Sequence, residues 1–180
     1  MSKTLCFTGH RPNKLGGYTG PKAEKIQGDL FNHLVSVVSR AFSKGFDTFI
    51  SGGALGVDQI AAKAVLFIKD HNTPIKLVIA KPFPSQSCKW PESSQKQFNW
   101  ICSQADKVVD VSPDPYTREK MQVRNEWMVD NSVACCAVSN GTGGGTGNCI
   151  KYAQSQFKPI LKIDPYTLEE KWYLPPKNKW

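Results

Sequence analysis

Four stretches of this chain gather residue types that handle phosphate and sugar. Thr8-Gly9-His10-Arg11-Pro12 places an imidazole and a guanidinium on a turn that Pro12 would hold. The guanidinium offers a planar fork to phosphate, and the imidazole a ring that stacks or donates. Ser51-Gly52-Gly53-Ala54-Leu55-Gly56-Val57-Asp58 follows an apolar run. Paired glycines between strand and helix can aim backbone N–H groups at an anion. Asp58 suits either a helix cap or a ribose hydroxyl, with capping ahead. The third stretch, Arg124-Asn125-Glu126-Trp127-Met128-Val129-Asp130-Asn131, reads as a helix that can point Arg124 and Asn125 into a shared site. The fourth, SNGTGGGTGNCIKYA over residues 139–153, carries five glycines between Gly141 and Gly147 and turns helical at its end. A plain turn needs one or two glycines. Five signal close approach of the backbone to another group, with Gly143, Gly144, Gly145, Thr146 and Asn148 as its ligand-facing members. Neither glycine stretch is a Walker A loop or a GxGxxG fingerprint.

The elements that must hold these stretches alternate regularly. Leu5-Cys6-Phe7, Phe46 to Ile50, Ile75 to Ala80, Lys107 to Val111, Val133 to Val138 and Pro159 to Ile163 are short apolar runs. Such runs fit strands covered on both faces. Between them, Ile26, Leu30, Leu34, Val37, Val38 and Ala41 form one helical stripe ending before Gly45, and Ile60, Ala61, Ala64, Val65 and Ile68 another. Strand, helix and strand in repetition predict an α/β, three-layer, Rossmann-like domain with a mostly parallel sheet of about six strands. One domain over residues 1–165 with a tail over 166–180 accounts for the chain. Residues 81–94 and 112–117, rich in proline, serine and aromatics, are loops at strand carboxyl ends that could form the rim of a site.

Composition narrows the function classes. The chain has 180 residues, 40% hydrophobic and 21% charged, as in a soluble globular protein. No apolar run approaches the ~20 residues that span a bilayer, and the start lacks the pattern of a signal peptide, so a cytoplasmic location is expected. Six cysteines form no CxxC pair, and several sit in apolar runs such as VACCAV. They read as small buried hydrophobes, with neither disulfides nor a metal site expected. A net charge of +8, spread along the sequence, suits an anionic partner: nucleotide, nucleic acid or acidic protein.

Taken in order, TGHRP, SGGALGVD, RNEWMVDNS and GGTGNCIKYA resemble the SLOG superfamily of Rossmann-like nucleotide-binding proteins, over roughly residues 4–153. The likeness is to its small stand-alone members of bacteria and phages. The resemblance implies a ligand held by Thr8, Gly9, His10, Arg11, Ser51, Gly52, Gly53, Gly56, Asp58, Arg124, Asn125 and the residues of the fourth stretch, with no cofactor. It also implies a homodimer or higher homo-oligomer. The superfamily's cytokinin-activating phosphoribohydrolases carry GGxGTxxE, whose glutamate works with an upstream arginine. Here Asn148 replaces the threonine and the glutamate falls at or near Ile150. Glycosidic cleavage needs a carboxylate, leaving Glu126 and Asp58 as the catalytic candidates. The leading expectation is therefore a binder of an ADP-ribose-type or cyclic nucleotide signal, as in phage proteins that sequester immune signals. An N-glycosidase acting on nucleoside monophosphates or ADP-ribose derivatives is the alternative. Single-stranded nucleic acid, bound by the superfamily's DNA-processing protein, is the least expected partner. Trp90, Phe98, Trp100 and Trp127 could stack bases, but no continuous basic stripe accompanies them.

Overall fold

Apolar runs become strands here where helices can cover both faces. A computed structural model describes residues 3–176. The strands are β1 (Lys3–Gly9), β2 (Phe46–Ser51), β3 (Lys76–Lys81), β4 (Lys107–Asp110), β5 (Ala134–Val138), β6 (Ile160–Ile163) and β7 (Glu170–Tyr173). The helices are α1 (Pro21–Ser43), α2 (Val57–Asp70), α3 (Glu92–Gln104), α4 (Arg118–Asp130) and α5 (Gly145–Ser155). Together the strands make one sheet in the order β4-β3-β2-β1-β5-β6-β7. All neighbours are parallel except β7, which runs antiparallel to β6 and pairs Ile160 with Tyr173.

Side-chain alternation on the strands feeds two cores. Leu5 and Phe7 of β1, Leu77 and Ile79 of β3, and Cys136 of β5 pack under α1, α2 and α3. Cys6, Ala80, Cys135 and Ala137 point the other way, against Met128 and Val129 of α4 and Cys149 and Ala153 of α5. The sheet is thus the middle of three layers. All six cysteines are free, and Cys6, Cys135, Cys136 and Cys149 are buried. Burial pushes the Cys136 thiol well up, so it behaves as the inert apolar side chain the sequence suggests. Helix α1 ends at the cap residue Lys44, and Gly45 follows it at φ +85, where the stripe was expected to stop.

Two details go beyond the sequence reading. The sheet has seven strands, because β7 lies in the stretch read as a tail. Its pattern, EKWY, is polar and short, as an edge strand covered on one side tends to be. The last four residues of that stretch lie outside the described residues. In addition, the last three residues of the 81–94 insertion are helical, since α3 starts at Glu92. Among the described residues no helix is long and apolar enough to cross a membrane.

This strand order sets where a ligand fits. From β1 the chain proceeds to β2 on one side and returns at β5 on the other. The loops leaving the carboxyl ends of β1 and β5 therefore diverge and open a crevice, the usual ligand position in open α/β sheets.

Candidate functional site at the sheet switch point

The first turn divides its residues between structure and cavity. Thr8, at the end of β1, is buried at 5% exposure. Gly9 allows close packing, since a Cβ there would stand 2.5 Å from Val57. Its neighbour His10 does not face the cavity. Its ring is buried and its Nε2 lies 2.7 Å from Oδ1 and 3.1 Å from the backbone N of Asn140. With the proton on Nε2 it donates to the amide oxygen; with the proton on Nδ1 it accepts from the backbone N–H. Either tautomer holds Asn140. Burial lowers the His10 pKa, the Asn140 bond opposing it. Arg11 is exposed and reaches the cavity.

The SGG stretch is not the phosphate cradle that its glycines suggest. A Cβ on Gly52 would lie 1.3 Å from Nη1 of Arg124. One on Gly53, at φ +67, would meet Phe98 at 2.5 Å, and one on Gly56, at φ +99, the carbonyl of His10 at 2.4 Å. These glycines make room for protein atoms. Ser51 is equally internal: its Oγ donates to the Asp58 carbonyl at 2.6 Å and accepts from Gly53 N–H. Nor does Asp58 cap α2, whose N-cap is Gly56. Its carboxylate accepts from Ala54 N–H and pairs with Arg124, Nη1 to Oδ2, at 3.2 Å. Both side chains are about 5% exposed. Burial pushes the guanidinium pKa down and Asp58 pushes it back up; guanidinium remains charged in proteins. Arg124 also donates from Nε to Asn125 Oδ1. Asn125 in turn donates to the Gly145 carbonyl at 3.4 Å, tying α4 to α5.

The second glycine loop is different. Asn140 Oδ1 accepts from the N–H and the hydroxyl of Thr142. Lys14 Nζ then donates to Thr142 Oγ1 at 2.7 Å and to the Gly143 carbonyl at 2.9 Å. The loop is clamped at its base and bare at its crest. A Cβ on Gly143, Gly144 or Gly145 would meet nothing within 4 Å. Gly144, at φ +123, is the N-cap of α5 and supplies no side-chain cap. The first N–H groups of a helix have no partner within it and, with the macrodipole, attract anions.

These elements enclose a cavity of about 630 Å³. Of the expected residues, Thr8, Gly9, Arg11, Asp58, Arg124, Asn125, Gly144, Gly145, Thr146 and Asn148 line it. His10, Ser51, Gly52, Gly53 and Gly56 support it from behind. Gly143 lines a neighbouring cavity instead. Glu126, a catalytic candidate, accepts from Gln122 Nε2 at 3.0 Å and does not line the cavity.

Beside Ala54, the remaining wall is Tyr116, in a loop expected to form a rim, and Arg118, Glu119, Met121 and Gln122, which were not among the expected site residues. It comes from the 112–117 loop and the first turns of α4, which Thr117 caps by accepting from Lys120 N–H. The sequence signal was present, since PYTREKM joins a turn, a cap residue and a charged first turn. Glu119 is held below the usual carboxylate range by its own backbone N–H and the Thr117 hydroxyl. Among the described residues no three metal-ligating side chains cluster. Three guanidiniums, a bare helix N-terminus and a tyrosine edge-on to Phe83 at 5.7 Å thus face one space. That combination can bind phosphate and flank it with a flat ring.

The model of the YspA SLOG family (YpsA) matches residues 5–168. YoqJ, an SPbeta prophage-derived protein of Bacillus subtilis (strain 168), is 36% identical over 140 residues, 71% of this chain and 82% of that protein. A UPF0398 protein of Bacillus cereus (strain ATCC 14579) is 30% identical over 167 residues, 91% of this chain and 87% of its own length. Among solved structures, DNA processing protein A from Helicobacter pylori superposes with a TM-score of 0.62 at 18% identity, covering 94% of this chain and 68% of that one. The Streptococcus pneumoniae protein of the same name gives 0.59 at 14% identity, covering 90% and 50%. At such identities the likeness is one of fold. The family match over most of the chain, together with relatives at 30% identity and above, shows that this protein belongs to the YspA SLOG family.

Proposed function

We propose that the cavity binds a nucleotide-derived ligand of the ADP-ribose or cyclic nucleotide class and holds it without cleaving it. The carrying observation is the uncapped N-terminus of α5 facing an arginine-lined cavity, with open space over Gly144 and Gly145. The phosphate sits on those N–H groups and takes charge from Arg11 and Arg118, while Arg124 is already oriented by Asp58. Tyr116 and Met121 offer the base a flat apolar wall. Binding alone suffices for a protein that sequesters a signal, and the prophage origin of YoqJ supports such a role among phage-carried proteins. Titration calorimetry against a panel of ADP-ribose, AMP and cyclic nucleotides should show at least one ligand bound below micromolar. No binding across the panel rejects the reading.

Glu119 favours a second reading, N-glycosidic cleavage, because it gives the cavity wall a carboxylate beside that of Asp58. Chromatographic release of free base from AMP or ADP-ribose, lost in Glu119→Gln, would establish it. Single-stranded nucleic acid is a third. The Helicobacter pylori neighbour binds single-stranded DNA, and Arg11, Arg118 and Tyr116 are all exposed here. Such binding falls by about 10³ or more between 50 and 200 mM salt when several phosphates are contacted, and a flat salt response rejects it.

A further inference from the structure

Gly144 and Asn148 belong to two cavities at once. On one side of the α5 N-terminus lies the arginine-lined cavity. On the other lies a second of about 360 Å³, walled by Lys151 of α5, Lys162 of β6 and Tyr173 of β7. The crest of the ridge between them is bare backbone, since an added Cβ on Gly143, Gly144 or Gly145 meets nothing within 4 Å. Both flanks carry cations. Lys162 overhangs the loop, its Nζ 3.8 Å from where a Cβ on Gly141 would stand. Among the described residues the side chains of Lys151 and Lys162 make no hydrogen bond or ion pair. Past Lys162 and Tyr173 the next depression is bordered by Asp164, Glu169 and Glu170 together with Lys171. Carboxylates accept hydrogen bonds from sugar hydroxyls and repel further phosphate.

We propose that the ligand straddles the glycine ridge. It is a pyrophosphate-linked molecule with a nucleoside in the first cavity, its phosphates on the ridge, and a second sugar or nucleoside between Lys162 and Tyr173. This rests on the nucleotide reading of the first cavity and extends it to the far side of α5. A one-ended nucleotide would leave Lys162 and Tyr173 without a role in binding.

The test titrates the full chain with ADP and with ADP-ribose, which differ only in the second end. Wild-type protein should bind ADP-ribose tighter by about tenfold or more, the size of one charge-assisted bond. Lys162→Ala and Tyr173→Ala, each with an unchanged thermal melt, should remove that advantage and leave ADP affinity as it was. Arg11→Ala should weaken both ligands alike. Equal affinity for the two ligands in wild type overturns the straddling mode while the nucleotide reading stands, as does a Lys162→Met variant that retains the advantage. If neither ligand binds, the reading of the first cavity fails and takes the straddling mode with it.

Discussion

The two glycine loops resemble each other in sequence, yet the same substitution should act on them in opposite ways. At Gly145 an added methyl meets no atom within 4 Å, and the residue is the first of α5. Alanine is the better helix former by up to about 1 kcal/mol, so Gly145→Ala should leave stability unchanged or slightly raised. At roughly 2–4 °C per kcal/mol for a chain of this size, the melting temperature should move up by a few degrees at most. The methyl nevertheless projects into the space over the α5 N-terminus, where the phosphate is proposed to sit. Displacing one charge-assisted bond costs about 1.5–3 kcal/mol, tenfold or more in affinity. At Gly52 the new Cβ would lie 1.3 Å from Nη1 of Arg124 and must push the guanidinium off Asp58. Breaking a buried pair by displacing one partner costs about 3–5 kcal/mol, a large part of a typical domain's stability. Differential scanning calorimetry and titration calorimetry on both variants read the two effects separately. A stable Gly52→Ala would refute the assignment of that loop to packing. A Gly145→Ala variant of unaltered affinity would refute the open loop as the phosphate site.

Three further outcomes follow from particular contacts. Arg11 is exposed and makes no ion pair among the described residues; Arg11→Ala should cost about 2 kcal/mol of ligand binding in a titration and leave the thermal melt unchanged. Burial lowers the His10 pKa from its ordinary 6.5, so the unfolded chain takes up this proton first as pH falls. Stability should therefore decline from about pH 6.5 down to the lowered folded value, and urea titrations across that range should show a smaller decline in His10→Gln. Lys14 clamps Thr142 and Gly143; Lys14→Met should loosen the loop, seen as faster amide exchange at residues 141–144 and weaker nucleotide binding.

The layered fold was legible because the strands are apolar on both faces and the helices carry one stripe, patterns that covered sheets impose. β7 was not, since EKWY has neither pattern and gains its place only by pairing with β6. At the site, the sequence identified the crevice and the second glycine loop but not the purpose of the first. Gly52, Gly53 and Gly56 look like anion-binding residues in one dimension. Only the packing of Arg124, Phe98 and the His10 carbonyl shows what fills the missing side chains. Asp58 suits a cap or a ribose hydroxyl in sequence because it stands near a helix start; its partner, Arg124, lies 66 residues on. Arg118 and Glu119 escaped because a charged first helical turn is usually solvated surface, and only the sheet order brings them over the β1 crevice beside the expected rim loop of Tyr116.

The central claim is that a phosphate rests on the first N–H groups of α5. Amide chemical shifts of ¹⁵N-labelled protein during titration with ADP-ribose test it most directly. The account predicts saturable shifts at Gly144, Gly145 and Thr146, accompanied by Arg11. Shifts confined to residues outside this cavity, or no saturable shift at these glycines, would contradict it.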